Sequence, residues 1–502
     1  MEKNDIFQIT IEDMSEDGSG IGHIDGMAVF VKDTVVGDTA AIRIVKVKKS
    51  YAYGRLENLI DESPFRTAAV CPVARQCGGC TLQHISYEKE LALKQNKVLG
   101  CLRRIGGIEN PEKYLEGTYG NESYLRYRNK MQFPFGKNKE GKTVLGFYAG
   151  RTHSLIPVED CYIGHKVNSF IAEAVCSWAD GFGITVYDEK TGKGLLRHVL
   201  TRIGFATGEL MVCLVVNGKK IPHDTELIEK LEAAVEQYNS EHNNDENKKA
   251  DIRISLTSVV ANINTAKTNK ILGDRTFVIS GEEYITDYIG DVKFRISAQS
   301  FYQVNPAQTG KLYGKALEFA NLSGEETVWD MYCGIGTISL FLAGKANKVF
   351  GVEIVPQAII DAKKNAEING IENAVFYTGA AEDIVGEIYE KGEEGSSVDV
   401  VVVDPPRKGC DEKLLSTIKG MNPKRMVYVS CDPATLARDL KTLIAEGFEL
   451  EKVAIYDQFS RSFHVEVCCL LEQQKRAKDF IEIGIDAEEY YRIKDSEKDV
   501  DE

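Results

Sequence analysis

Apolar and polar positions alternate differently in three stretches of the chain, and each mode marks a region. Over residues 1–62 the period is two, broken by the turns Asp17-Gly-Ser-Gly-Ile-Gly22, Asp25-Gly26 and Val36-Gly-Asp38. Val29–Val31 and Ala41–Val47 therefore read as strands of a small β-barrel. Residues 84–105 carry a helical pattern, and from about 120 to 300 the chain is strand-rich. Runs at 130–135, 144–147, 198–204, 211–216 and 252–263 predict a mixed α+β central domain, with the polar stretch Glu236–Asp251 as a surface loop. After Phe301-Tyr-Gln-Val-Asn305 the pattern changes to alternating strands and helices. Strands are predicted at Thr327–Asp330, Lys348–Glu353, Val398–Asp404, Met426–Ser430 and Phe463–Leu471, with a helix from Thr337 to Ala343. Such alternation predicts an α/β, Rossmann-like domain. The reading divides the chain into a barrel (1–62), a central domain (63–300), a Rossmann-like domain (301–472) and a charged tail (473–502).

The last region is organised around Val427-Tyr-Val-Ser-Cys431-Asp-Pro-Ala-Thr-Leu-Ala-Arg438, an apolar strand that stops at a cysteine and turns at once into a helix. Asp432 suits the N-cap and Pro433 the first helical position. The sulfur of Cys431 then sits beside the positive end of a helix dipole, which favours the nucleophilic thiolate. The plainer reading is a small core residue at a strand end. Val398–Asp404 is a continuous apolar strand, buried on both faces, whose terminal acid should project into the same crevice as Cys431. Phe463-His-Val-Glu466-Val-Cys-Cys-Leu-Leu471 carries one acid in an apolar run. A carboxyl there should have a raised pKa, as a general base would, unless it faces water from an edge strand.

Asp330-Met-Tyr-Cys-Gly334-Ile-Gly336, followed by Glu353 at the end of the next strand, suits a nucleotide site in which the carboxylate grips ribose hydroxyls. Ser339 stands where a dinucleotide fingerprint has its third glycine. That close approach serves a pyrophosphate, so the pattern favours S-adenosylmethionine, which has no phosphate, over a nicotinamide cofactor.

Composition narrows the picture. Hydrophobic content of 43% and charged content of 27% describe a soluble globular chain, and no apolar run approaches the ~18–20 residues of a membrane span. Met1-Glu-Lys-Asn-Asp lacks the basic flank and apolar core of a signal peptide, so a cytoplasmic location is expected. The net charge of −15 counts against a nucleic-acid partner, but binding follows local patches. Two exist: Lys46, Lys48, Lys49, Tyr51, Tyr53 and Arg55 at the barrel, and Tyr124-Leu-Arg-Tyr-Arg-Asn-Lys-Met131. Cations for phosphate and rings for stacking are what single-stranded RNA requires; a lysine-guarded edge strand is the alternative.

Twelve cysteines are many where disulfides are rare, and three fall within Cys71-Pro-Val-Ala-Arg-Gln-Cys77-Gly-Gly-Cys80. Structural zinc and an iron–sulfur cluster compete. A zinc ribbon repeats its C-x2-C pair and this chain does not. A closed, structural cluster with a distant fourth cysteine, Cys161, is the better fit.

Taken together, Cys71–Cys80, Phe301-x-Gln-Val-Asn, Asp-Met-Tyr-Cys-Gly-x-Gly, Asp-Pro-Pro-Arg, Ser-Cys-Asp-Pro and His-Val-Glu, in this order, resemble the RNA uracil-5-methyltransferases, and residues 1–62 resemble a TRAM domain. The resemblance extends to about Leu471. It implies a nucleophile at Cys431, a base at Glu466, a donor site of Gln303, Tyr332, Glu353 and Asp404, and a [4Fe–4S] cluster on Cys71, Cys77, Cys80 and Cys161. Cofactors would be S-adenosylmethionine and that cluster. The partner would be RNA, 23S rRNA ahead of tRNA, for a monomer that does not engage membranes. Some relatives have asparagine where Thr337 stands, so Thr337 is left outside the implied site. A cytosine-5 enzyme would need a second cysteine near Asp404-Pro-Pro-Arg407, and a non-catalytic scaffold would have no use for Cys431 beside a donor loop.

Overall fold

The computed structural model describes residues 1–150, 152, 154–242, 252–392 and 394–474. The predicted tail lies outside them from residue 475 onward.

The N-terminal unit is a six-stranded sheet, ordered Ile6–Thr10, Thr39–Val47, Tyr51–Asp61, Met27–Val31, Gly20–Ile24 and Asp13–Met14. Alternate residues turn inward, as period-two patterning requires, and Ile9, Val29, Val31, Ile42, Ile44 and Ala52 fill its interior. A side chain at Gly22 would run 2.3 Å from the Thr10 carbonyl oxygen, so only glycine lets these strands approach. The second predicted strand ends at Val47, as its pattern indicated, and Lys48 and Lys49 lie in the turn into Tyr51–Asp61.

The central domain is a seven-stranded sheet ordered Leu155–Pro157, Thr143–Tyr148, Lys130–Lys137, Leu196–Ile203, Glu209–Val216, Ser255–Ile263 and Arg275–Gly281. Helices Val167–Gly181 and Asp224–His242 bury one of its faces. The predicted loop Glu236–Asp251 is not a loop throughout, because residues 236–242 complete the second of these helices. Glu209–Val216 and Ser255–Ile263 pair in parallel, and a parallel pair needs a crossover, which polar composition concealed. Asn239 locks that crossover by exchanging hydrogen bonds with both the N–H and the carbonyl of Ile254. Residues 243–251 lie outside the described residues.

The third sheet has eight strands: Ala374–Thr378, Lys348–Glu353, Thr327–Met331, Val400–Val403, Arg425–Ser430, Glu466–Gln473, Phe448–Tyr456 and Leu115–Tyr119. The first five run parallel with helices on both faces, which is the doubly wound arrangement expected. All four residues of Val400–Val403 are buried, as its unbroken apolar run predicted. The strand containing Glu466 begins at that residue rather than at Phe463. Two contributions come from earlier in the chain. Leu115–Tyr119 covers the outer edge of Phe448–Tyr456, and the hairpin Ile285–Ile296 buries Phe294 and Ile296 in a core shared by the central and Rossmann-like sheets.

Candidate active site

Tyr332, Glu353, Asp404 and Cys431 each lie at or just beyond the carboxyl end of a parallel strand, where ligands bind in such sheets. They line one cavity of about 630 Å³, joined by Gln303 from the segment before the domain's first helix and by Glu466 from the antiparallel strand. Topology thus brings six residues scattered over more than a hundred and sixty positions to a single wall.

In the donor half, Thr327–Met331 runs into a turn where Tyr332, Gly334 and Gly336 all have positive φ, with Tyr332 at 78°. A tyrosine held there is strained, and such strain collects at ligand sites. Asp330 is fully buried and accepts a 2.5 Å hydrogen bond from Ser339 Oγ. The residue that replaces the third glycine therefore anchors an acid at the base of the loop. Burial raises the Asp330 carboxyl to about 7. Glu353 lines the cavity, and its Oε1 accepts the Val355 N–H at 2.9 Å. Thr337, set aside in the sequence, lines the cavity and shares a 3.2 Å hydrogen bond with Tyr313.

In the acceptor half, Asp432 caps the helix Pro433–Ala445 by accepting from the N–H groups of Ala434 and Thr435, as predicted. The electrostatic consequence is opposite to the one expected. Burial, then the neighbouring Glu466 and Asp404, push the Cys431 thiol up to about 11, with Arg407 only partly offsetting them. Desolvation and two acids outweigh one helix dipole, which acts only over its first turn. Glu466 is 2% exposed, and its Oε2 has no hydrogen-bond partner. Burial and the Asp404 charge raise it well above the carboxylate range, the direction anticipated. Asp404 itself is raised to about 7, by burial and then by Asp330. Gln303 is fixed from both ends: Asn129 donates to its backbone oxygen at 3.0 Å, and Gln458 to its side-chain oxygen at 3.4 Å. Arg407 and His464, not singled out in the sequence, face each other at 3.4 Å on the cavity wall. Burial and Arg407 lower the His464 pKa, so the ring is neutral and accepts from the guanidinium.

Cys71, Cys77 and Cys80 occupy the loop after the barrel, and Cys161 follows Leu155–Pro157. All are free thiols. Burial lifts Cys80 to about 12, and the charges of Cys161, Cys77 and Cys71 add to it. Backbone N–H groups of Ile163 and Gly164 point at Cys161, and that of Gly79 at Cys77. An all-sulfur donor set ringed by N–H groups fits a soft metal or cluster. Among the described residues, though, no group of three or more His, Cys, Asp or Glu side chains is disposed to hold a metal ion.

The basic-aromatic run at 124–131 is mostly engaged within the fold. Arg126 pairs with Asp160, Tyr127 is buried and donates to the Ser460 oxygen, and Tyr124 lies against Tyr87 and Arg461. Arg128 and Lys130 stand apart from this pattern.

The model of the tRNA (uracil-5-)-methyltransferase family matches residues 227–474, and that of the TRAM domain matches residues 2–56. An RNA methyltransferase of Halalkalibacterium halodurans is 48% identical over 470 residues, spanning 94% of this chain and 97% of that one. The chain belongs to this RNA methyltransferase family. A relative from Bacillus cereus is 46% identical over 472 residues, with 94% and 98% covered. Among solved structures, the Pyrococcus abyssi tRNA (uracil-54, C5)-methyltransferase in complex with S-adenosyl-L-homocysteine superposes with a TM-score of 0.70. It is 26% identical, and the match covers 93% of this chain and 100% of that one. The methyltransferase is accordingly an S-adenosylmethionine-dependent RNA-modifying enzyme with an N-terminal TRAM domain. No described helix is long and apolar enough to cross a membrane.

Proposed function

We propose that this methyltransferase transfers a methyl group to carbon 5 of a uridine through a covalent adduct with Cys431. The observation that supports this most is the meeting of a thiol, two raised carboxyls and a fixed amide in one cavity with the donor loop. Carbon 5 of uracil is too weak a nucleophile to be alkylated directly, which is why a covalent step is required. Cys431 Sγ bonds to carbon 6, the ring's double-bond electrons move toward O4, and the thiol proton passes to Asp404. S-Adenosylmethionine supplies the methyl cation equivalent, and carbon 5 takes it as the methyl–sulfonium bond breaks. Glu466 then accepts the carbon 5 proton, the double bond re-forms, and Cys431 leaves. Protonating Asp404 removes one of the charges that raise Glu466, so the Glu466 proton can pass to water in the cavity before the last step, and the departing Cys431 thiolate takes back the proton held on Asp404. Gln303, Tyr332, Glu353 and Asp404 serve the donor, and Gln303 and Asp404 also lie near the uracil edge. A half-buried thiol on a cavity wall is reachable only by an unstacked base, so the target is a flipped or single-stranded uridine.

The same reading assigns Cys71, Cys77, Cys80 and Cys161 to a structural [4Fe–4S] cluster, on the all-cysteine donor set and not on a preformed arrangement of the side chains, and takes 23S rRNA as substrate, in a cytoplasmic monomer. Free thiols throughout the described chain suit a reducing compartment. A tRNA substrate is the second reading, favoured by the full-length likeness to the Pyrococcus tRNA enzyme. Mass spectrometry of separated 23S rRNA and tRNA from a deletion strain, before and after treatment with recombinant protein, decides it. New 5-methyluridine in either pool identifies the substrate, and none in both refutes the activity.

A further inference from the structure

One group of cations in the central domain, built around the buried Arg202, has no acid among its neighbours. Arg202 and Lys130 lie directly opposite each other on antiparallel strands, in register and therefore on one face of the sheet. Like charges so placed repel. Arg128, two residues before Lys130, adds a third positive charge. The charged or titratable groups acting on Lys130 are Arg202, Arg128 and Cys213, with no carboxylate among them. Arg202 is 3% exposed and donates only to the backbone oxygens of Ala298 and Ser300, leaving its Nε without a partner. Nε of Arg128 is likewise unpartnered, as is Nδ1 of His198, which shares the sheet face of Arg202. A buried charge is ordinarily paired, so three clustered cations, one of them buried and two with an orphaned Nε, lack an anion.

Its position says which anion. Asn129, between Arg128 and Lys130, donates its side chain to the Gln303 oxygen and its backbone N–H to that of Val304. Arg202 holds the carbonyls just before Phe301, and Phe301, Gln303 and Val304 line the catalytic cavity. Lys130 is half-buried rather than sealed, so its ammonium remains within reach of a ligand. We propose that Arg128 and Lys130, backed by Arg202, bind a phosphodiester of the RNA strand that carries the target uridine. The site rests on the uridine-methylating reading and extends it, because it holds the backbone beside the base that enters the cavity. Arg128 offers a fork to the phosphate oxygens, and Lys130 a point charge.

The test is binding of unmodified 23S rRNA and tRNA transcripts to the full-length protein across a range of KCl concentrations. Lys130→Met keeps the apolar stem and removes the charge. One lost phosphate contact should reduce the log–log salt slope by about 0.7 for a single strand. The melting temperature should not fall, since a repulsion with Arg202 is relieved. Lys137→Met, on the same strand but paired with Asp180, should leave the slope unchanged. An unchanged slope in folded Lys130→Met overturns the proposal, as does an equal drop in Lys137→Met. If Lys130→Met fails to fold, Arg128→Gln must show the same loss of slope, and failure there overturns it too. Uridine methylation by the wild-type enzyme is scored separately, so a failed phosphate site is distinguishable from a failed reaction.

Discussion

The molecule treats buried charge in two ways. Behind the catalytic loop, Lys94 is fully buried yet bonded to Glu90, Asp457 and the Phe459 oxygen, and Arg461 adds a second bond to Glu90. Every charge there has an opposite. Across the same loop, Glu466 and Asp404 line one cavity, Arg407 only partly offsets the charge that Asp404 places on Glu466, and both carboxyls are raised. A closed network fixes geometry, whereas an unbalanced one stores a readiness to exchange protons. The loop Asp457–Glu466 joins them, so the rigid group positions the reactive one.

Predictions follow from disturbing one side of this contrast at a time. The largest effect belongs to Cys431→Ala, which should abolish both methylation and any denaturant-resistant protein–RNA species, read on gels with labelled S-adenosylmethionine. Next, Glu466→Gln should attack and methylate but release slowly, losing ~10²–10⁴ in turnover while an adduct carrying labelled methyl accumulates. Normal turnover with no adduct would remove Glu466 from the role of base. On the paired side, Lys94→Met strands two acids and should lower unfolding free energy by about 3–5 kcal/mol in urea titrations. The unbalanced side, where Asp330 acts on Asp404, predicts a dependence on pH instead. Asp330 titrates near 7 when folded, against an ordinary value of about 3.9. Its protonated form is favoured by folding, so that stability is fully present below about pH 4 and is lost as pH rises to about 7, a loss of about 4 kcal/mol over the window. Asp330→Asn should abolish this part of the pH dependence, measured without donor. Smallest is the barrel: neutralising Lys46, Lys48 and Lys49 should flatten the salt dependence of RNA binding by roughly one slope unit per lost contact, with the maximal rate retained.

Much of the fold was legible because strongly periodic runs are buried on schedule. Val400–Val403 and Arg425–Ser430 sit where their apolar patterns placed them, and Asp432 caps its helix. Leu115–Tyr119 was not legible: Leu-Glu-Gly-Thr-Tyr has no strong alternation, and its partner is near the other end of the chain. The candidate site was visible as residues but not as electrostatics. Helix dipoles are local and can be read from sequence, whereas the desolvation that lifts Cys431 depends on walls brought from elsewhere. For the same reason Lys130 and Arg202 looked unrelated until register set them opposite each other.

The strand Leu115–Tyr119 has a consequence for the order in which the chain matures on the ribosome. It can be paired only after Phe448–Tyr456 has emerged, and Tyr87 reaches Asp457 across 370 positions of sequence. The barrel can close as soon as residue 61 is out, but the helix Tyr87–Arg104 and the strand after it must wait through nearly the whole of translation. During that wait their apolar faces are exposed to the cell. Synthesis interrupted before Phe448 leaves a folded RNA-binding barrel attached to an adhesive, unfinished body, a natural client for chaperones and proteases.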